Sequence, residues 1–427
     1  MRNYINKLIV VCIFAMGWIS QSCHSDDVSL CPRDGDDGGA GGNTSEYVYC
    51  ESAVIGSNPI GIAGGTFNTN VFLNMMDSLL NGIVGYQVAV GWNEQIVGLR
   101  SVGNARNEND CILRFNECNR MNGASIAKNL TAAATLKLLE ANNLTVDDLV
   151  APYLPDSWEP SDYAKTLSFR HFLAHRTALP SVNSDFDNTL SYDGLKTFIE
   201  SEPVDTQVIN PANPDENMYV YKNANFATMR VVIPQLWKNT GVQIVDLQQA
   251  TEITDYLSQR YFDEYITKEL LNPSGVFDAT LNMPSGAQEA TLYYDASNLD
   301  SEGTPYTLDW RYISGGGGWW ISARDLVKYM QTIQNNDAVL SSGNRALMYG
   351  HPTLNWRFGF NRAIATTRGT GQGHGGQIGD RLRAILCHLP ENISICVMTN
   401  STHPAISDYD NSTLQSMIIS SYDAAWE

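Results

Sequence analysis

Strand-like patterns occur toward both ends of this chain, and the long stretch between them is dominated by helical patterns. Residues 84–103 alternate around Asn93-Glu94 in the manner of a β-hairpin. Strand-like segments return after about residue 355, whereas residues 130–300 are rich in apolar positions at helical spacing. This order predicts an α+β fold (an α/β sandwich): one sheet built from both chain ends, flanked by helices, with an all-helical subdomain at about 130–300.

One of the helical patterns begins near Gly123 and ends near Asn143. Ser125 lies in its first turn, and Lys128, three residues later, lies on the same face. A serine hydroxyl is a weak nucleophile until a base takes its proton, and a lysine acts as that base only when it is neutral. The pair is therefore a candidate nucleophile and base, although an S-x-x-K sequence alone also arises by chance.

Composition limits the classes of partner. The chain has 427 residues, 43% of them hydrophobic, which suits one large globular domain or two ordinary ones. Its formal net charge is −19, so nucleic acid and anionic membrane surfaces are not expected partners. A small-molecule or peptide substrate remains, and the sequence does not predict an oligomeric state.

The N-terminus has the pattern of a targeting segment. Residues 1–22 carry two early basic residues and then an apolar run too short for a convincing membrane span, as in a signal peptide. The segment ISQSC, ending at Cys23, resembles a bacterial lipoprotein signal, which implies lipidation of that cysteine. Residues 23–50 are polar and glycine-rich, as in a flexible tether. We therefore expect export to the periplasm or outer membrane, with ordinary secretion as the alternative.

Six further cysteines fall in three pairs that are close in sequence: Cys31 with Cys50, Cys111 with Cys118, and Cys387 with Cys396. An exported protein can form disulfides, and the last pair flanks a turn-like LPEN segment, so we expect these two cysteines to face each other across a hairpin. Free buried cysteines are the alternative for the last two pairs. No cysteine and histidine spacing indicates a metal site, and no cofactor is expected.

Two more short motifs follow in chain order, Tyr221-Lys-Asn223 and His374-Gly-Gly376. Together with Ser-x-x-Lys, LSFRHFLAHRTALP, GGGGWWISARDLVKYM and VMTNS, this ordered set resembles the serine β-lactamase and penicillin-binding-protein superfamily over most of residues 70–427. The closest similarity is to its class C–like branch, which includes esterases and D-amino-acid peptidases. The resemblance implies a β-lactamase/transpeptidase-like fold with an antiparallel sheet, in a domain spanning 51–427.

The resemblance also implies roles for individual residues. Ser125 would be the acylated nucleophile, with Lys128 as the base or proton relay beside it. Tyr221 would transfer the proton to the leaving group and later activate water. Asn223 would orient Lys128 and the substrate carbonyl.

The third motif would supply the substrate-binding strand. His374, Gly375 and Gly376 would stand where the family has a lysine-threonine-glycine strand, and the backbone N–H groups of Ser125 and Gln377 would form the oxyanion hole. A histidine and a glycine in place of lysine and a hydroxyl residue weigh against efficient β-lactam hydrolysis. The histidine variant resembles peptidase and esterase members.

These observations predict an exported serine hydrolase acting through an acyl-enzyme on an ester or amide, such as a D-amino-acid peptide, a cell-wall fragment, an ester or a β-lactam. One alternative is a penicillin-recognising sensor or binding lipoprotein, or a catalytically degenerate member. A further alternative is a structural envelope lipoprotein that uses the fold only as a scaffold. Another is an α/β-hydrolase esterase with a Ser/Asp/His triad, because GASIA nearly matches a nucleophile elbow.

Three other patterns have competing explanations. GQGHGG at 371–376 matches a dinucleotide motif, but a strand pattern follows where a helix is required. His171 and His175 have metal-ligand spacing without a third ligand, so we expect helix-packing or capping roles. Trp319 and Trp320 suit either a substrate groove or the core.

Lys222 lies between the tyrosine and asparagine of the second motif, where the family that this chain resembles more often has a small serine. Its side chain is expected to be solvated.

Overall fold

A computed structural model describes residues 60–62, 65–107, 110, 112–180, 190–210, 212–282, 291–295, 299–306, 309–354 and 356–427. The predicted signal peptide and tether lie outside these residues. So do Cys23, Cys31, Cys50 and Cys111. None of the helices in the described ranges is both long and apolar enough to cross a bilayer.

A seven-stranded sheet forms the centre of the molecule, and strands from both halves of the chain build it. The eleven strands of the described residues are β1 Ile60–Ile62, β2 Gly65–Phe67, β3 Gly85–Trp92, β4 Gln95–Arg106, β5 Leu113–Arg114, β6 Met121–Asn122, β7 Trp320–Ile321, β8 Arg362–Thr366, β9 Gly369–Ile378, β10 Leu382–Leu389 and β11 Ile393–Thr399. The sheet order is β5-β4-β3-β11-β10-β9-β8, and every neighbouring pair is antiparallel. The predicted antiparallel sheet from both chain ends is therefore confirmed.

Ten helices accompany the strands in the described residues: α1 Thr69–Leu79, α2 Ala127–Ala141, α3 Phe169–Leu173, α4 Tyr192–Glu200, α5 Asn223–Asn239, α6 Val245–Gln249, α7 Asp255–Ile266, α8 Ala323–Asn335, α9 Ser342–Tyr349 and α10 Asn411–Ala424. Helices α3 to α7 follow α2 within the stretch where helical patterns dominate the sequence. Most of α2 is buried on all sides, including Lys128 and Asn129, because the helical region packs around it as well as the sheet.

The sheet separates two apolar cores. Val88 and Val90 of β3 pack with α1 and α10 on one face, whereas Ala89 between them packs with α2, α5 and α8 on the other. Successive side chains of a strand point to opposite faces, so a strand covered on both sides is apolar throughout. This two-sided burial explains the nearly unbroken apolar sequence of β3, β10 and β11.

The β3–β4 hairpin has the predicted turn. Asn93 and Glu94 join β3 to β4 with φ angles of 48° and 63°. Positive φ at both central residues is the geometry of the two-residue turn that matches strand twist, and asparagine tolerates it well.

The strand register shows that the predicted Cys387–Cys396 disulfide is wrong. Cys387 pairs with Ile395, and Cys396 pairs with Leu386, so the two cysteines are offset by one residue. An offset of one residue places two side chains on opposite faces of a sheet. Cys387 accordingly lies in the core on the α10 side and Cys396 in the core on the α2 side, both as free buried thiols. Cys118 is disulfide-bonded, and its predicted partner Cys111 lies outside the described residues.

Candidate active site

A tight turn holds Ser125 between β6 and α2. Ala124 to Ile126 form a short 3₁₀ helix, and Ala124 has a left-handed φ of 46°. Two hydrogen bonds fix the approach to this turn: Gly123 N donates to Trp319 O, and Ala124 N donates to Asn122 Oδ1, both at 2.8 Å. A left-handed conformation is costly for alanine, and such strain is typical of functional turns.

Lys128 projects from the first turn of α2 into a buried cluster of acceptors. Its Nζ lies 3.1 Å from Ser125 Oγ and 2.6 Å from Asn223 Oδ1, and it also donates to the carbonyl of Gly316. The side chain is fully buried. Because a lysine ammonium has three N–H donors, these three acceptors suit its charged form.

Tyr221 lies at the edge of the same cluster. The centroid of its ring is 4.8 Å from Lys128 Nζ, an ordinary cation–π distance. Lys128 Nζ is also 3.1 Å from Ser125 Oγ, so the amine contacts both the tyrosine ring and the serine hydroxyl. The structure thus brings together the nucleophile candidate from the turn before α2 and the base candidate from α2. It places both beside the tyrosine that precedes α5 and the asparagine that begins it.

Lys222, between Tyr221 and Asn223, is buried rather than solvated. Its exposed fraction is 2%, and its Nζ donates to Gln207 Oε1 at 2.7 Å and to the carbonyl of Leu179. The expectation of a solvated side chain was wrong because the segment after α3 and the loop carrying Gln207 enclose it.

The glycine run before Trp319 contributes a contact that sequence reasoning missed. A Cβ at Gly315 would lie 2.5 Å from Phe226 O, and one at Gly316 would lie 2.8 Å from Asn223 O. Only glycines allow this backbone to approach the start of α5 so closely, and that approach places the Gly316 carbonyl on Lys128. Four consecutive glycines were the available signal.

Strand β9 carries the third motif, and its residues alternate between the two faces. Gly376 faces the Ser125 turn, because a Cβ there would lie 2.5 Å from Gly123 O. Gly375 faces the opposite side, where an added Cβ would meet Asn411 Nδ2 at 2.8 Å and Arg362 Nε at 3.0 Å. Gln377, at the exposed end of the strand, donates through its side chain to Gly379 O. Of Gly375, Gly376 and Gln377, only Gly376 therefore lies on the face of β9 that meets the Ser125 turn.

His374 shares the face of Gly376 and is almost completely buried. Its Nδ1 lies 2.8 Å from Gly375 O, so Nδ1 carries a proton and donates to that carbonyl. Burial, followed by the positive charge of Lys128, lowers the pKa of His374 to about 3. The imidazole is therefore neutral at physiological pH and does not supply the permanent positive charge of a lysine at this position.

The two histidines of the metal-like spacing have separate roles. Helix α3 ends at Leu173, so only His171 lies within it, where it completes a capping box with Ser168 as expected. His175 follows the helix and stacks on Tyr221 with ring centroids 4.3 Å apart. Sequence reasoning missed this contact because it extended the helix through His175. Within the described ranges, no group of three histidine, cysteine, aspartate or glutamate side chains is arranged to hold a metal ion.

The sequence matches the profile of the family described as Beta-lactamase over residues 72–236 and 246–415. The chain belongs to the β-lactamase family. The match spans all three motifs, from the Ser125 turn to strand β9, and confirms the superfamily resemblance. A search of curated proteins found no match.

Several solved structures share the fold of this chain. A D-amino acid amidase from Ochrobactrum anthropi SV3, complexed with L-phenylalanine amide, has 17% identity and a TM-score of 0.61, covering 83% of this chain and 98% of its own. A penicillin-binding protein homologue from Pyrococcus abyssi has 20% identity and a TM-score of 0.59, covering 82% and 74%. A β-lactamase/D-alanine carboxypeptidase from Yersinia pestis has 14% identity and a TM-score of 0.58, covering 84% and 98%.

For this β-lactamase-family protein, fold and family support an enzyme of the hydrolase class. The antiparallel sheet excludes the α/β-hydrolase alternative, whose nucleophile elbow belongs to a different sheet architecture. The two tryptophans that suited a groove or the core both lie in the core, with Trp319 at 1% and Trp320 at 0% exposure.

Proposed function

We propose that this chain is an exported serine hydrolase that acts through an acyl-enzyme on an ester or amide. The supporting observation is the contact of Lys128 Nζ with Ser125 Oγ at 3.1 Å, inside a cluster closed by Asn223 and the Tyr221 ring. A hydroxyl beside a buried amine and a phenol is the arrangement that nucleophilic catalysis by serine requires.

The acceptors around Lys128 suggest how the two proton-transfer groups divide the reaction. An ammonium that donates to Ser125, Asn223 and Gly316 has no lone pair with which to take a proton. We therefore assign the base to Tyr221: its phenolate, stabilised by the nearby ammonium, accepts the Ser125 proton as the hydroxyl oxygen attacks the substrate carbonyl. The same proton then passes to the leaving ester oxygen or amide nitrogen as its bond to the carbonyl carbon breaks.

The oxyanion that forms on the carbonyl oxygen requires N–H donors near Ser125. We propose the backbone N–H groups of Ser125 and Gln377 for this role. The close approach of Gly376 to the Gly123 carbonyl, which brings the end of β9 beside the Ser125 turn, supports this assignment.

The strand favours esters and D-amino-acid amides or peptides that lack a C-terminal carboxylate over β-lactams that carry a carboxylate. A neutral His374 supplies no fixed cation for a substrate carboxylate at that position, and Gly375 points away from Ser125. The D-amino acid amidase among the structural neighbours is consistent with such substrates.

Intact-protein mass after incubation with p-nitrophenyl ester, D-amino-acid amide, D-peptide and β-lactam panels tests this proposal. We expect a transient acyl adduct that is absent in Ser125→Ala and that forms much more slowly in Tyr221→Phe. The matched serine control, Ser416→Ala on α10, should form the adduct at the wild-type rate. Labelling of Ser125→Ala at the wild-type rate would refute the proposal. An adduct that accumulates without turnover indicates the sensor alternative instead.

Export is a separate part of the proposal. The apolar run in residues 1–22 and the ISQSC sequence support a lipidated Cys23 in the bacterial envelope. Labelling of cells with an alkyne fatty acid should mark the wild type and not Cys23→Ala. An unlabelled wild-type protein in the culture medium would instead indicate ordinary secretion.

A further inference from the structure

A single residue outside the three motifs, His175, binds the backbone on both sides of Tyr221. Val220 N donates to His175 O at 3.0 Å, and Lys222 N donates to His175 Nδ1 at 3.1 Å. His175 itself has a left-handed φ of 56°, two residues after the end of α3. The backbone N–H groups of the residues before and after Tyr221 therefore both hydrogen-bond to His175.

The imidazole ring of His175 also packs on the phenol itself. Its centroid lies 4.3 Å from that of Tyr221, at an interplanar angle of 31°, and 5.0 Å from that of Phe226. His175 is only 5% exposed. Tyr221 thus contacts both this ring and the ammonium of Lys128, whose Nζ is 4.8 Å from the phenol centroid.

The hydrogen bonds of His175 require the neutral form with its proton on Nε2. Besides Lys222 N, the amide of Asn225 approaches Nδ1 at 3.3 Å through Nδ2. Thr177 Oγ1 donates to Asn225 Oδ1 at 2.8 Å, which fixes the orientation of that amide and makes Nδ2 the donor. Burial, then the charges of Lys128 and His374, lowers the pKa of His175 well below its usual value. A protonated Nδ1 would face two N–H donors.

We infer that His175 is a positioning residue that sets the place and orientation of the Tyr221 phenol for proton transfer. The inference rests on the proposed serine-hydrolase function, because it assigns His175 to that reaction through Tyr221. Positioning matters at this point because a displacement of about 1 Å of a catalytic group lowers a rate by about a hundredfold.

Two substitutions separate the parts of this role. His175→Phe keeps an aromatic ring and removes the Nδ1 acceptor. His175→Asn keeps a short acceptor and tolerates positive φ, but lacks the ring. The matched control is His171→Asn, because His171 is also buried with a lowered pKa, yet it hydrogen-bonds to Ser168 and packs on Trp356.

The experiment measures kcat and KM for a p-nitrophenyl ester between pH 5 and 10, with thermal unfolding of each variant. We expect His175→Phe to lower kcat about a hundredfold with little change in KM and to move the kcat pH profile, because Tyr221 changes its position relative to the charges around it. His175→Asn should retain more activity than His175→Phe. The titratable groups that face His175 in the structure, and so enter the profile, are Lys128, Tyr219, Tyr221, Lys222 and His374.

His171→Asn should lower thermal stability and leave the position of the pH profile unchanged. Wild-type kcat and an unmoved profile in both folded His175 variants would overturn the inference, as would an equal kcat loss in His171→Asn. If His175→Phe does not fold, His175→Asn alone decides by the same criteria. If only the His175 inference fails, Ser125→Ala is still inactive. If the proposed serine-hydrolase function fails, Ser125→Ala keeps its activity, so the two failures are distinguishable.

Discussion

Asn223 Oδ1 accepts a hydrogen bond from Lys128 Nζ at 2.6 Å, although the two residues are 95 positions apart in the chain. Asn223 is the first residue of α5, so the position of that helix relative to α2 determines the distance. The amide is one of three acceptors that surround the amine, and its substitution leaves both the Ser125 hydroxyl and the Gly316 backbone in place.

Asn223→Asp tests this contact. A carboxylate beside Lys128 would pair with the ammonium and weaken its stabilisation of the Tyr221 phenolate, so we expect Ser125 acylation to slow by about two orders of magnitude. The measurement is the rate of adduct formation by mass spectrometry. Asn239→Asp, at the exposed far end of the same helix, should acylate at the wild-type rate. An unchanged rate in Asn223→Asp would show that the contact is not needed.

Gly376→Ala tests the close approach of β9 to the Ser125 turn. The new Cβ would lie 2.5 Å from Gly123 O, a backbone atom that cannot move without displacing the turn. We expect acylation to fall by about a hundredfold while the fold persists. Gly343→Ala in α9 is the control, because its Cβ would approach nothing closer than Ser341 Oγ at 3.9 Å, and alanine at such a site is neutral or stabilising by about 0.4–1 kcal/mol. Equal activity in the two variants would contradict the geometry.

Stability should fall with acidification. Burial is the main cause of a lowered pKa at four histidines: it reaches about 4 in His171, about 3 in His374 and about 4 in His388, and lies well below the usual value in His175. The unfolded chain binds these protons at about pH 6.5 and the folded chain does not, so their contribution is present above that pH and is lost as pH falls below it.

Each such histidine contributes a slope of up to about 1.4 kcal/mol in unfolding free energy per pH unit below about 6.5. Urea unfolding between pH 7.5 and 5 measures this slope. His388→Gln should reduce this slope by about one such increment. A stability that is flat over this range would contradict the burial of the neutral imidazoles.

The two sheet cysteines should be reduced and unreactive in the native protein. Burial raises the pKa of Cys387 to about 12 and raises that of Cys396 well above its usual value, so neither forms the thiolate that alkylating reagents attack. We expect iodoacetamide to modify both only after unfolding without reductant, as shown by peptide mapping. Recovery of a Cys387–Cys396 disulfide peptide would contradict the register, and unmodified Cys118 in the same map provides the internal control for a disulfide-bonded cysteine.

Patterns within single elements were sufficient for much of the fold. Strand alternation predicted the β3–β4 hairpin and its Asn93-Glu94 turn, and helical spacing placed Ser125 and Lys128 on one face. The order of strands and helices predicted a sheet built from both chain ends. The turn and the shared helix face depend on neighbours a few residues apart, and the sheet was predicted from the order of the elements along the chain.

Contacts between distant elements were decided only by the tertiary structure. The sequence did not show that Gly316 would bind Lys128, that Lys222 would be buried, or that His175 would leave its helix to stack on Tyr221. It also suggested a disulfide that a one-residue offset in register forbids. Local periodicity reports which face of an element a residue occupies. What that face meets depends on how helices and strands far apart in sequence pack against one another.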